Sequence, residues 1–169
     1  MILAPLLAWL IVQSDFRAAL GLVGVAGVTD WLDGYAARKL GVTGRLGVIL
    51  DPLADKLMLV TLFFALAYAR LIPLWLLALV MGRDAVIVGG ALLVRTYRNI
   101  HKFPPLTIGK VSTFFQIVFA LLALLYAAAP FPFIRWLEIL ALFLTTLFTT
   151  LSGIQYVRLG IRMARRLVV

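Results

Sequence analysis

Six long apolar runs, separated by short breaks rich in charge, Pro or Gly, limit the fold of this chain more than any other feature. They are Met1 to Val12, Ala18 to Leu40, Leu46 to Ala69, Pro73 to Val94, Val111 to Ala129 and Ile134 to Val157. A helix needs about 20 apolar residues to cross a hydrocarbon core. All but the first run reach that length, and the first spans roughly 18 Å as a helix. With 64% of its 169 residues hydrophobic and 14% charged, the chain cannot present a polar surface to water all round. The expected fold is all-α: an integral membrane bundle of six transmembrane helices, forming a single domain over residues 1–169.

The distribution of positive charge predicts an orientation. Of 16 Lys and Arg residues, eleven gather at one set of breaks: Arg38, Lys39, Arg45, Arg95, Arg98, Lys102, Lys110, Arg158, Arg162, Arg165 and Arg166. The opposite set holds only Arg17, Arg70 and Arg135, while Lys56 and Arg83 fall inside apolar runs. Basic loops stay in the cytoplasm, so the second and fourth breaks, both termini and a basic tail from Arg158 to Val169 are expected there. Cations at the ends of apolar runs face lipid head groups, which accounts for the net charge of +9 without a nucleic-acid partner. The absence of cysteine excludes disulfides and thiolate metal sites. No cleavable signal peptide is expected.

Four aspartates interrupt two successive apolar runs: Asp30 and Asp33, then Asp51 and Asp55. A carboxylate in a membrane segment costs several kcal/mol unless paired, protonated or bound to a cation. Spacings of three and four place each pair on one helix face. Counting from Arg38 and Arg45, Asp33 and Asp51 lie roughly 8 to 9 Å deep, and Asp30 and Asp55 about 12 to 15 Å. In an antiparallel helix pair the shallow aspartates oppose each other, as do the deep ones, giving a carboxylate box open to the cytoplasm. Such a donor set suits Mg²⁺, Mn²⁺ or Ca²⁺ far better than zinc. Gly34 and Gly47, one turn from Asp30 and Asp51, leave room for a bulky ligand near the backbone, and Arg38 offers a planar fork to a phosphate.

Structural ion pairs with Lys56, Arg38 and Arg83 are the plainer explanation, but four carboxylates outnumber the cations at matching depth. An intramembrane-carboxylate cation transporter is the rival function. That reading predicts inverted repeats and broken helices near the midplane, and neither is visible in the sequence. Gly21, Gly24 and Gly27 predict close helix packing. The run Thr145, Thr146, Thr149, Thr150 and Ser152 predicts a packing face or a dimer seam, and His101 reads as a solvated loop residue.

The residues from Asp30 to Asp55 resemble the signature D-x2-D-G-x2-A-R-x8-G-x3-D-x3-D of the CDP-alcohol phosphatidyltransferases. All its fixed positions are present: Asp30, Asp33, Gly34, Ala37, Arg38, Gly47, Asp51 and Asp55. The resemblance implies that Asp30, Asp33 and Asp51, helped by Asp55, hold two divalent cations, Mg²⁺ or Mn²⁺, that grip the diphosphate of CDP-diacylglycerol. It further implies Asp55 as general base, CMP as leaving group, and Gly34, Ala37, Arg38 and Gly47 around the nucleotide. Lys56 would either orient the base or form a salt bridge. A homodimer in the bacterial inner membrane, with the active site facing the cytoplasm, is also implied. Family members commonly begin with an interfacial segment containing N-x-P-N, and this chain starts after it.

Two further stretches resemble the glycerophospholipid branch of that family: Gly82-Arg83-Asp84 with Arg95 twelve residues after Arg83, and Gly109-Lys110-Val-Ser-Thr113-Phe-Phe-Gln116. They imply an acceptor that is phosphatidylglycerol or glycerol 3-phosphate. Arg83, Arg95, Arg98 and Lys110 form a basic rim able to hold an acceptor phosphate, with Arg83, Arg95 and Lys110 as the candidate acceptor residues, although a plain positive-inside loop would look the same. The Gly-Arg-Asp form is closer to cardiolipin synthases. Ala91 stands where phosphatidylglycerophosphate synthases tend to place a second Arg, which weakens the case for a small anionic acceptor.

Overall fold

The computed structural model describes the backbone of residues 3–40, 47–98 and 107–165, and their side chains apart from those of 30–31, 33–40, 47–55, 91–98 and 163–165. The described residues form six helices and no strand: α1 Leu3–Val12, α2 Phe16–Leu40, α3 Gly47–Tyr68, α4 Leu74–Arg98, α5 Thr107–Ala128 and α6 Pro132–Arg165.

Short polar or Pro-containing corners set the helix ends. At the end of α1, Ser14 takes a left-handed φ of 62°, the Ser14 N–H donates to Ile11 O at 3.0 Å, and the Asp15 N–H donates to Leu10 O at 3.0 Å. This Schellman arrangement satisfies carbonyls that the helix end would orphan. Asp15 then caps α2, its Oδ1 accepting the Ala18 N–H at 3.1 Å. Arg70, with φ 58°, closes α3 in the same way: its N–H reaches Ala67 O at 3.1 Å, and the Leu71 N–H reaches Leu66 O at 2.9 Å. Pro132 opens α6 at a position where no N–H is needed.

The chain divides into two compact units, Met1–Ile72 with Ala120–Arg135, and Pro73–Phe119 with Trp136–Val169. In the first, α1 packs against α2 and α3, and the core is apolar: Leu7, Ile11, Ala19, Leu59, Phe63 and Leu66 are buried. The second has a polar interior. Arg83, Asp84, Ser112, Gln116, Glu138, Thr145, Thr149 and Ser152 are all buried there, beside Leu76, Val80 and Phe119.

The exterior is strongly apolar. Tyr68 (74% exposed), Leu74 (71%) and Trp136 (72%) head a long series of exposed large side chains, more than a water-facing surface carries. Among the described residues, α5 and the Pro132–Arg162 stretch of α6 are long and apolar enough to cross a membrane, whereas the described apolar stretches Leu3–Val12, Phe16–Thr29 and Lys56–Tyr68 are shorter.

Several sequence expectations need correction. The helix α4 continues to Arg98 and α5 begins at Thr107, so Arg95 and Lys110 belong to helices and not to the fourth break. The basic tail is helical as far as Arg165, because α6 runs unbroken through 34 residues. A side-chain carbon added at Gly21, Gly24 or Gly27 would meet nothing within 4 Å. Among the described residues those glycines therefore make no close helix contact.

Candidate active site

Each aspartate of the signature sits on a continuous helix. Asp30 and Asp33 lie on α2 before its end at Leu40, and Asp51 and Asp55 follow the start of α3 at Gly47. Along the axes, Asp33 is about 10 Å and Asp30 about 15 Å from the end of α2, while Asp51 is about 6 Å and Asp55 about 12 Å from the start of α3. Unbroken helix at both places means that each pair occupies one face of its helix. Gly34, Ala37 and Arg38 share the last turns of α2, and Gly47 is the first residue of α3. The side chains of all these residues lie outside the described set, as does that of Arg95 in the last turn of α4. His101 lies wholly outside it.

The donor chemistry fits divalent metal: four carboxylates supply hard oxygen ligands, and the chain has no cysteine to favour a softer ion. Among the described residues no cluster of three or more His, Asp or Glu offers a competing site.

Arg83, one of the expected acceptor residues, is buried on α4 at 8% exposure. Its Nε donates to Ser152 Oγ on α6 at 3.1 Å, its Nη1 to Asp84 Oδ1 at 2.8 Å, and its Nη2 to the Gly109 carbonyl on α5 at 3.1 Å. The Tyr156 ring lies 5.9 Å from its Cζ. A carbon placed on Gly109 would sit 3.1 Å from Arg83 Nη2 and 3.1 Å from Tyr156 Oη, so only a bare backbone fits there without displacing one of them. The second-unit groove that Arg83 borders holds about 270 Å³ and is otherwise lined by Ala78, Leu79, Gly82, Val86, Gly153 and Val157 together with Thr149 and Thr150. Lys110 stands exposed one residue beyond Gly109.

Deeper along the same faces, Ser112 and Thr149 share a 3.1 Å hydrogen bond, Gln116 Nε2 donates to Thr149 Oγ1 at 3.1 Å, and Thr145 Oγ1 donates to Phe115 O at 2.9 Å. Thr145, Thr149 and Ser152 thus form a packing face within the unit. Thr146 and Thr150 instead bond their own helix, to Leu142 O and Thr146 O at 2.8 Å each. Sequence reading missed Tyr156 and the role of Gly109. The signal was available: residues 145, 149, 152 and 156 advance in steps of four, three and four, and 109, 112 and 116 in steps of three and four, each set one helix face.

These features, carboxylate pairs on α2 and α3 of the first unit and, separately, a buried arginine on α4 of the second, accompany a match to the CDP-alcohol phosphatidyltransferase profile over residues 1–150. The chain belongs to the CDP-alcohol phosphatidyltransferase family. Its relatives include human cardiolipin synthase (CMP-forming), 36% identical over 167 residues that cover 89% of this chain and 55% of the relative. The CDP-diacylglycerol–glycerol-3-phosphate 3-phosphatidyltransferase of Bacillus subtilis is 35% identical over 133 residues, 78% of this chain and 67% of the relative. Its Aquifex aeolicus counterpart is 33% identical over 171 residues, 96% and 92%. The chain therefore spans about half the length of the human relative.

Proposed function

We propose that this protein transfers the phosphatidyl group of CDP-diacylglycerol to a hydroxyl of a glycerol-containing acceptor, releasing CMP, in phospholipid biosynthesis. The observation that carries the proposal is the complete family signature on two unbroken helices, within a family match that covers residues 1–150. Asp30, Asp33, Asp51 and Asp55 would hold two divalent cations, Mg²⁺ or Mn²⁺. When bound, those ions neutralise diphosphate charge and make CMP a better leaving group.

The chain's own residues supply the rest. Asp55 takes the proton from the acceptor hydroxyl as its oxygen forms the new bond to the phosphatidyl phosphorus and the P–O bond to CMP breaks. Gly34, Ala37 and Gly47 leave space for the nucleotide, and Arg38 holds one of its phosphates. Arg83, Arg95 and Lys110 supply positive charge for the acceptor phosphate.

Among the relatives, the 3-phosphatidyltransferases name glycerol 3-phosphate and the cardiolipin synthase names cardiolipin, the lipid that phosphatidyl transfer to phosphatidylglycerol would give. The Gly82-Arg83-Asp84 sequence and the apolar Ala91 favour phosphatidylglycerol. In this reading all six helices pack as a membrane bundle, the carboxylates open to the cytoplasm, and two chains associate. The deciding experiment measures CMP release from CDP-diacylglycerol with each acceptor, with Mg²⁺ or Mn²⁺ and with chelator. Release that needs both metal and acceptor is expected, and none with either acceptor in either metal would end the proposal.

A further inference from the structure

We propose that Gly109, Ser152 and Tyr156 are positioning residues that aim the Arg83 guanidinium at the acceptor's phosphate, an inference that rests on the acceptor role proposed above for Arg83. A guanidinium is planar, so bonds from several of its nitrogens fix its orientation as well as its place. Here Nε, Nη1 and Nη2 are each tied, to Ser152, Asp84 and Gly109 O, by contacts of 3.1, 2.8 and 3.1 Å. The anchors come from α4, α5 and α6, so turning the guanidinium breaks at least one of these bonds. Its flank is limited by the Tyr156 ring, 5.9 Å from Cζ.

Three acceptors do not exhaust the donors of a guanidinium: one N–H remains on each terminal nitrogen. Among the described residues these two have no acceptor. A buried cation with two spare N–H donors suits the oxygens of a phosphate, and the stem of Arg83, whose Cβ and Cγ lie 3.9 Å from a carbon added at Gly153, borders an open groove. Asp84 balances the guanidinium charge without occupying that pair. Gly109 sets the fit, since a carbon there would stand 3.1 Å from both Nη2 and Tyr156 Oη, and one of the two would have to give way by a few tenths of an ångström. Phosphate is common to both candidate acceptors. The groove's apolar walls, Ala78, Leu79, Val86 and Val157 among them, fit a lipid phosphodiester better than a small soluble phosphate.

The test uses the full chain in detergent micelles, with CDP-diacylglycerol as donor and either phosphatidylglycerol or glycerol 3-phosphate as acceptor. Ser152→Ala and Gly109→Ala are expected to raise the acceptor KM about five- to tenfold, the scale of one lost hydrogen bond, while the KM for CDP-diacylglycerol stays within about twofold. Ser152→Thr, which keeps the hydroxyl, should restore the acceptor KM. A rise seen with phosphatidylglycerol identifies the lipid phosphodiester as the ligand, and one seen only with glycerol 3-phosphate identifies the soluble phosphate.

Equal rises in both KM values, or a lower thermal midpoint with neither KM changed, would show a helix clamp and overturn the proposal. If Arg83→Lys leaves the acceptor KM unchanged with both acceptors, the acceptor role of Arg83 fails and positioning fails with it. If Arg83→Lys raises it and the Ser152 and Gly109 variants do not, positioning alone fails. Where a variant has no turnover, equilibrium binding of radiolabelled acceptor gives the same comparison.

Discussion

Arg83 and Ser152, 69 positions apart in the chain, meet in a 3.1 Å hydrogen bond inside the second unit. The same guanidinium reaches Gly109 O on α5, so one side chain joins three helices. A charged residue at such a point contributes through the partners it satisfies, because burying it alone would cost several kcal/mol.

Arg83→Met keeps much of the volume but removes the charge, so the buried Asp84 carboxylate loses its 2.8 Å partner. Breaking a buried pair from one side costs about 3 to 5 kcal/mol. A fall of that size is expected in denaturant unfolding of the detergent-solubilised chain. A change below about 1 kcal/mol would mean that the pair does not support the fold.

Two neighbouring threonines should behave differently. Thr149 is fully buried and bonded to both Ser112 and Gln116, so Thr149→Val is expected to destabilise by about 1 kcal/mol. Thr150 is exposed and bonds only the carbonyl of its own helix, and Thr150→Val should fall within about 0.5 kcal/mol of wild type. Paired unfolding curves decide the matter, and equal effects would contradict the packing-face assignment.

For the carboxylates, Asp30→Asn, Asp33→Asn and Asp51→Asn are expected to abolish CMP release while helix content by circular dichroism stays unchanged. Asp55→Asn separates two roles. As base, its loss lowers turnover by about 10² to 10⁴ while CDP-diacylglycerol still binds; as metal ligand, its loss weakens binding too. Nucleotide affinity and turnover measured in the same variant at saturating metal give the answer, and wild-type turnover would exclude both roles.

Because the chain has no native cysteine, single cysteines report topology cleanly. One at Val42 or Phe103 should react with an impermeant reagent from the cytoplasmic side. One replacing Arg70, exposed at the end of α3, should react from the other side. The opposite pattern would place the carboxylates away from cytosolic nucleotide.

How far the sequence foretold this depends on the physical signal involved. Helix number and the aspartate faces follow from apolar run length and from spacings of three and four, which are properties of a single helix. The course of α4 to Arg98 and of α6 to Arg165 is not legible in apolar run length, because charge ends the apolar stretch without ending the helix. Gly109 looked like part of a motif, and its purpose appears only when Arg83 and Tyr156 arrive from other helices. Gly21, Gly24 and Gly27 show the reverse: small residues at helical spacing permit close approach without requiring it.

The unbroken α6 acts as a yardstick. Its 34 residues measure about 51 Å, against a hydrocarbon core of roughly 30 Å, so an upright helix leaves about 20 Å in head groups or water. Arg158, the first cation after Arg135 along this helix, lies about 35 Å from it. That interval caps the thickness this helix tolerates: a thicker core would pull a guanidinium into lipid, and a thinner one would force the rod to tilt. Membrane thickness therefore sets how the basic end of α6 sits against the phosphate layer.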